Sequence, residues 1–424
     1  MMKHKGLLLA AAASMLALSA GAAFSADPVT ITIESWRTDD ASVWNDTIIP
    51  MFEKAHPDIK VVYAPTNAPD YNAALNAKLA GGTAGDIIIC RPFDQSLGMY
   101  KAGQLLDLTK LPGMENFADS TKVAWQTDDG KVTFCLPMAS VIHGFIYNKD
   151  AFADAGITDV PATVDDFFAD LDKIKAKGNY TPVDIGTHDQ WEAATMAYEN
   201  IGPNYWKGED GRKALIAGKE KLTDADWVAP FQQMAKWIPY MGDGYQAQAY
   251  SDSQNLFSLG KAAIYPADSW DIPTFEKANP DLKFAAFPPP VPKAGDKCYI
   301  SDQLDHAVGI NAASKNLDAA KTFVTWMAGD DFAAAYANAL PGFFALTSHP
   351  IKVTDPVAAQ FLSWRQNCAS TIRATYQILS RGTPNLENDL WAESANVLNG
   401  TDTPEAAAKK LQDGLDSWYK PGQS

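Results

Sequence analysis

Short β-branched runs alternate with stretches of helical spacing from residue 29 onward, and this alternation restricts the fold more than any other feature. Residues 29–33 read Val-Thr-Ile-Thr-Ile, apolar and polar side chains in turn, as a strand does when one face is buried. Helical spacing follows over 43–56 and stops at His56-Pro57, where the proline ring blocks the next turn. A second strand is expected over 59–63, a helix over 71–80 closed by Gly81-Gly82, and a strand over 86–89 rich in isoleucine. That rhythm predicts an α/β fold with mostly parallel sheets and helices on both faces. It restarts with strands over 132–137 and 145–147, a helix over 164–177, a Trp-rich stretch over 191–237 and a strand over 261–265. The prolines of 287–292 force an extended connector. A strand over 307–311 and helices over 317–327, 387–398 and 404–418 complete the chain.

Residues 1–26 are set apart as a secretory signal peptide. Lys3 and Lys5 lead into an apolar run over 7–18, small residues over 20–23, and Phe24-Ser25-Ala26. The apolar run is too short for a spanning helix. Cleavage is expected after Ser25 or Ala26, with no Cys there for a lipid anchor, so the chain is expected in the periplasm and not embedded in a membrane. The roughly 400 residues that follow imply about two domains. The net charge of −16 disfavours nucleic acid and anionic lipid as partners, and no basic stripe offsets it. Four cysteines allow three pairings. Cys90 and Cys135 fall at strand ends in the same half and are the first choice, with buried free thiols as the alternative to any pairing among Cys90, Cys135, Cys298 and Cys368.

Several segments then carry a likeness. Gly85-Asp-Ile-Ile-Ile89 follows a helix closed by glycines. Leu136-Pro137 precedes Tyr147-Asn-Lys-Asp-Ala-Phe152 and Ala155-Gly-Ile157. Phe257-Ser-Leu-Gly-Lys-Ala-Ala-Ile264 runs on to Trp270. Val308-Gly-Ile-Asn-Ala-Ala-Ser314 and Leu340-Pro-Gly342 come next, then Asn399-Gly-Thr-Asp-Thr-Pro404-Glu-Ala-Ala-Ala408. In this order, the segments resemble the extracellular solute-binding proteins of ABC importers, family 1, the branch that contains maltose-binding protein. The resemblance implies two α/β lobes joined by two or three crossing segments, near 137, 298–302 and 340–344. Lobe 1 would comprise 27–137 and 300–342, lobe 2 138–299 and 343–424. It further implies a monomer that captures a sugar between the lobes by hinge closure and delivers it to the importer's permease subunits. No cofactor, metal or catalytic group is called for.

Carbohydrate offers apolar C–H faces rimmed by hydroxyls, so its sites pair flat aromatic rings with oriented polar groups. Such residues are sought just past the carboxyl ends of strands. Trp36, Arg37 and Asp39 follow the first strand, with core packing the alternative for Trp36. Arg91 and Asp94 follow the third, where solvated loop charges are the alternative. His143 lies near the first crossing, and a structural histidine is the competing reading. Trp191, Asp268 and Trp270 follow strands of the second half. Asp302 and Phe343 lie in the later crossings, and Arg381 is a hydroxyl partner. Trp391 sits on a late helix, where an aromatic is commonly core. Trp206, Trp227 and Trp237 are assigned to packing. A rival within the same fold binds glycerol phosphate, a polyol or another small solute. A periplasmic carbohydrate-active enzyme is disfavoured because HExxH, GxSxG, P-loop and zinc spacings are all missing from the sequence.

Overall fold

Two strands much longer than their neighbours organise the chain in this computed structural model, which describes residues 27–421. The expected signal peptide lies outside the described residues. In chain order the strands are β1 (Val29–Ser35), β2 (Ile59–Pro65), β3 (Ile87–Cys90), β4 (Leu136–Asn148) and β5 (Thr181–Val183). They continue as β6 (Ala262–Asp268), β7 (Phe284–Phe287), β8 (Tyr299–Ile310), β9 (Phe344–Ala345) and β10 (Ala369–Thr371). They join in the order β2-β1-β3-β8-β4-β6-β5, with β7 and β9 on β4 and β10 on β8.

The sheet is mixed, which corrects the mostly parallel expectation. β1 runs parallel to β2 and β3, β5 to β6, and β10 to β8, as strand–helix alternation requires. The long strands β4 and β8 instead run antiparallel to each other, β8 also to β3, and β4 to β6, β7 and β9. The sequence reading split β4 into two strands. Ser140, His143 and Gly144 interrupt its apolar run, yet the backbone continues through all 13 residues. Pro137, second in the strand, sits beside an irregularity in the β4–β8 register, where a missing N–H does least harm.

Two hydrophobic cores flank the long strands. One gathers Ile33, Trp44, Phe52, Ile88, Trp125 and Phe323; the other gathers Phe145, Phe167, Trp227, Phe257, Phe361 and Leu398. Core membership changes between Val141 and Ile142 in β4 and between Ile300 and Leu304 in β8, while in the segment 343–346 Phe344 joins the larger core and Phe343 and Leu346 the smaller. Trp206, Trp227 and Trp237 are buried in the larger core, and the first two stack at 4.4 Å.

Local chemistry explains the helix ends. Thr163 and Asp166 form a reciprocal cap on helix Val164–Lys177, which Gly178 closes in the left-handed region. Thr403 caps helix Pro404–Asp416, with proline at its first position. Cys90 is bonded to Cys135, tying the end of β3 to the approach to β4, and Cys298 is bonded to Cys368, at the start of the β8–β10 ladder.

Each bond closes a long loop, of 45 and 70 residues' separation, and so removes unfolded-state entropy. Replacing Cys298 and Cys368 together by Ser should lower stability by about 4 kcal/mol on the chain-entropy account. Urea midpoints that are identical with and without reductant would contradict this.

Candidate functional site

The carboxyl end of β1 delivers Trp36 and Arg37 to the boundary between the cores. The turn is held because the Arg37 N–H donates to Ser35 Oγ (3.1 Å) and Tyr63 donates to the Arg37 carbonyl (2.8 Å). The Arg37 guanidinium forks onto Asp40 (2.6 and 2.8 Å), reaches Asp39 (2.8 Å), and lies 4.4 Å over the Phe343 ring. Arg37, Asp39 and Phe343, expected to meet ligand, are thus committed largely to one another. Arg91, just after β3, places its guanidinium 4.6 Å over the Trp36 ring. Trp36 also meets Tyr71 at 5.6 Å and His306 at 5.7 Å.

Where β4 crosses between the cores, a polar stripe lies on one sheet face. Gln303 of β8 is opposite Val141, and Asp268 of β6 is opposite His143. Residues two apart on a strand share a face, as do direct partners across a ladder, so Gln303, His143 and Asp268 stand side by side. All three are fully buried. His143 Nδ1 lies 3.1 Å from the Thr195 carbonyl oxygen and 3.1 Å from Asp268 Oδ1. The latter approach is not aligned for a hydrogen bond, and neither Asp268 oxygen accepts one from the described residues.

Trp270 follows β6, whose residues line the larger core, yet its ring packs against the smaller one. Its Nε1–H donates to the Tyr250 hydroxyl (2.8 Å), and Trp191 packs on Tyr250 with ring centroids 4.8 Å apart. Trp191 and Trp270 are 6.5 Å apart, and His143 meets Trp270 edge-on at 6.1 Å. A close approach fixes this corner. Gly342 has φ +95°, and a Cβ there would stand 1.9 Å from the Ser269 carbonyl oxygen. The Ser269 hydroxyl donates to the Gly342 carbonyl (2.5 Å) and accepts the Ile142 N–H (3.1 Å), so two crossing segments are pinned beside Trp270.

The segment 369–385 brings residues that the sequence reading did not single out. The buried Arg373 guanidinium lies 3.5 Å from Glu199 and 3.8 Å from Glu387, and 5.4 Å over the Tyr376 ring. Tyr376 in turn packs 5.2 Å from Phe93. Glu199 had a detectable signal, since it is an acid inside a buried apolar helical stretch. Arg373 had none, being in irregular backbone. Asp94 and Arg381 do come together, but with each other (2.5 Å), and Arg381 also holds Asp128 (2.6 Å). Asp302 is occupied by a bidentate Arg365 (2.7 and 2.8 Å) and by Ser370 (2.8 Å). Trp391 is half-buried against the larger core, away from the stripe's ring contacts.

Burial dominates the electrostatics. It pushes the Asp268 carboxyl well above its usual range, opposed chiefly by Arg373, and holds His143 neutral, a tendency Arg373 reinforces. Asp184 is raised to about 8, and Asp271 and Glu199 each to about 7, all by desolvation. Within the described residues, Arg373 Nε, His143 Nε2 and Asp271 Oδ2 also make no hydrogen bond. Among the described residues no cluster of three His, Cys, Asp or Glu is placed to hold a metal ion, and no helix is long and apolar enough to cross a membrane.

Residues 35–334 match the family profile described as bacterial extracellular solute-binding protein. The diacetylchitobiose binding protein DasA of Streptomyces coelicolor is 25% identical over 264 residues, 60% of either chain. An uncharacterised ABC transporter extracellular-binding protein of Pyrococcus horikoshii is 28% identical over 232 residues, 53% of this chain and 52% of that one. The matches therefore span 60% and 52% of the length of these curated relatives. Among solved structures, a chitin oligosaccharide binding protein superimposes with a TM-score of 0.78 at 21% identity, covering 92% of this chain and 99% of its own. The protein RafE in complex with raffinose gives 0.76 at 20% identity, with coverages of 92% and 99%. The fold is accordingly the two-lobed one of these proteins.

The raised carboxyls set a pH dependence. Asp184, Asp271 and Glu199 keep their protons when folded and release them near pH ~4 when unfolded. Their stabilisation is complete below that pH and is lost as pH rises toward the folded values of about 7 to 8. His143 acts oppositely, but only below about pH 6.5, so the window above it isolates the carboxyls. Urea stability should fall from pH ~6.5 to ~8.5, and Asp184→Asn should flatten the fall by up to about 1.4 kcal/mol per pH unit. Parallel slopes for the two proteins would refute the assignment.

Proposed function

We propose that this chain, which belongs to the bacterial extracellular solute-binding proteins, captures a sugar or oligosaccharide between its lobes for an ABC importer. The observation that carries the reading is the fully buried Asp268 carboxyl at the boundary of the two cores, whose oxygens accept no hydrogen bond among the described residues and which feels the charge of Arg373, near the Trp270 ring that meets His143 and Trp191 at 6.1 and 6.5 Å. A hydroxyl both donates and accepts. Adjacent hydroxyls can therefore donate hydrogen bonds to Asp268 and accept them from Arg373, while a pyranose C–H face covers an indole. The carbohydrate ligands in the names of DasA, the chitin oligosaccharide binding protein and the raffinose complex support the same class.

On this reading the closed form is the signal. Each lobe holds part of the contact set, ligand favours the closed state by its differential affinity, and the permease subunits recognise that shape. The chain acts as a monomer in the periplasm and carries out no covalent step. The rival cargo, glycerol phosphate, would call on clustered arginines. Arg37 and Arg381 are already ion-paired with carboxylates, which favours a neutral ligand.

A thermal-shift screen with diacetylchitobiose, chitin oligosaccharides, raffinose, xylo-oligosaccharides, polyols and glycerol phosphate tests the class. A saccharide should raise the melting temperature by mass action. A response confined to glycerol phosphate would overturn the proposal. For the saccharide that binds, Trp270→Ala should cost about 1–3 kcal/mol of affinity by calorimetry while both lobes stay folded. Unchanged affinity would remove Trp270 from the site.

A further inference from the structure

We propose that Tyr250 is the positioning residue for Trp270, and that the indole therefore meets its guest through the ring face and not through its N–H. The inference rests on the binding reading above and deepens it. Trp270 Nε1–H donates to the Tyr250 hydroxyl at 2.8 Å. That hydroxyl donates in turn to Asp271 Oδ1 at 2.5 Å, an oxygen that also accepts from Gln254 Nε2 at 2.9 Å. Asp271 is the residue after Trp270. Indole, phenol and carboxyl group thus close a loop on the same stretch of chain, so the plane of the indole is fixed from its edge.

The phenol is itself held from two sides. Tyr250 begins helix Tyr250–Ser258, and its backbone N–H donates to Asp189 Oδ2 at 2.9 Å. Asp189 belongs to the turn in which Gln190 adopts φ +60°, a conformation that turns the chain and sets Trp191 against the Tyr250 ring. Tyr250 and Trp191 pack on the larger core, whereas the Trp270 ring packs on the smaller one. The anchor therefore sits in one lobe and delivers its ring to the other. An indole has a single donor and no acceptor. With that donor committed to Tyr250, the polar reading of a guest falls to Asp268, His143 and Arg373, and Trp270 contributes stacking area.

The full chain is tested as wild type, Tyr250→Phe, Trp270→Phe and the double variant. Binding is measured by calorimetry with diacetylchitobiose, raffinose and a xylo-oligosaccharide. The Trp270 indole N–H resonance, identified by its loss in Trp270→Phe, is followed without ligand. Tyr250→Phe should weaken the saccharide Kd about three- to tenfold, the share of one hydrogen bond. The same substitution should shift the indole resonance and speed its solvent exchange at least about tenfold. The double variant should bind no more weakly than the poorer single variant, because both singles break one interaction. An unmoved indole resonance overturns the relay. A moved resonance with unchanged Kd, or multiplicative losses in the double variant, overturns the positioning role. A wild type that binds none of the probes defeats the binding reading and this role with it, while the indole resonance still reports whether the relay exists.

Discussion

The antiparallel ladder between β4 and β8 is the constraint on which the rest of the molecule depends. Thirteen and 12 residues long, the two strands are each shared between both hydrophobic cores. A strand of that length reaches about 40 Å. Its backbone hydrogen bonds run through the boundary without a break in the chain, so the lobes are joined by sheet and not by a flexible linker. The side chains at the crossing are then placed by register. Gln303 against Val141 follows from the β4–β8 ladder and His143 against Asp268 from the β4–β6 ladder, and a one-residue slip would turn these side chains to the opposite face.

That placement brings polar groups to a depth where an ordinary sheet carries aliphatic side chains. A carboxyl that accepts no hydrogen bond from the described residues is costly to bury, and Asp268 responds by holding its proton. Arg373 relieves only part of the cost, because its nearest carboxylate oxygens stand at 3.5 and 3.8 Å, beyond good hydrogen-bonding distance. The arrangement is therefore electrostatically incomplete among the described residues. On the proposed binding role, a polyhydroxylated guest supplies the missing donors and acceptors as the lobes meet, which makes closure dependent on the guest. The contacts that are already complete, such as Arg37 with Asp39 and Asp40, shape the walls of the boundary without favouring any ligand.

The parts of this arrangement that could be read from the sequence are those a strand end announces. Trp36, Arg91, Asp268 and Trp270 each follow a recognisable apolar run, and Cys90 and Cys135 each mark the edge of one. The length of β4 was hidden, because His143 and Gly144 interrupt the alternation that reveals a strand, while tertiary pairing on both sides maintains the backbone through them. The mixed character of the sheet was hidden for the same reason, since strand–helix alternation reports only the parallel units. Arg373 and Tyr376 lie in a segment without periodicity. Tyr250 opens a helix with nothing in its neighbours to mark it, and its role depends on partners 20 and 21 positions away.

The two polar clusters near the boundary differ in how strongly their groups depend on being paired. Arg381 reaches Asp94 and Asp128 from a segment more than 250 residues later in the chain, and these side chains remain partly solvated. Water screens such pairs to about 1 kcal/mol or less, and salt weakens them further. The stripe of Gln303, His143 and Asp268 is fully buried, so each group there is worth more when satisfied and costs more when it is not. On the proposed function, selectivity for a guest is then assigned to the stripe and the rings beside it, and the solvated Arg381 pairs are left a part that does not depend on which guest is present.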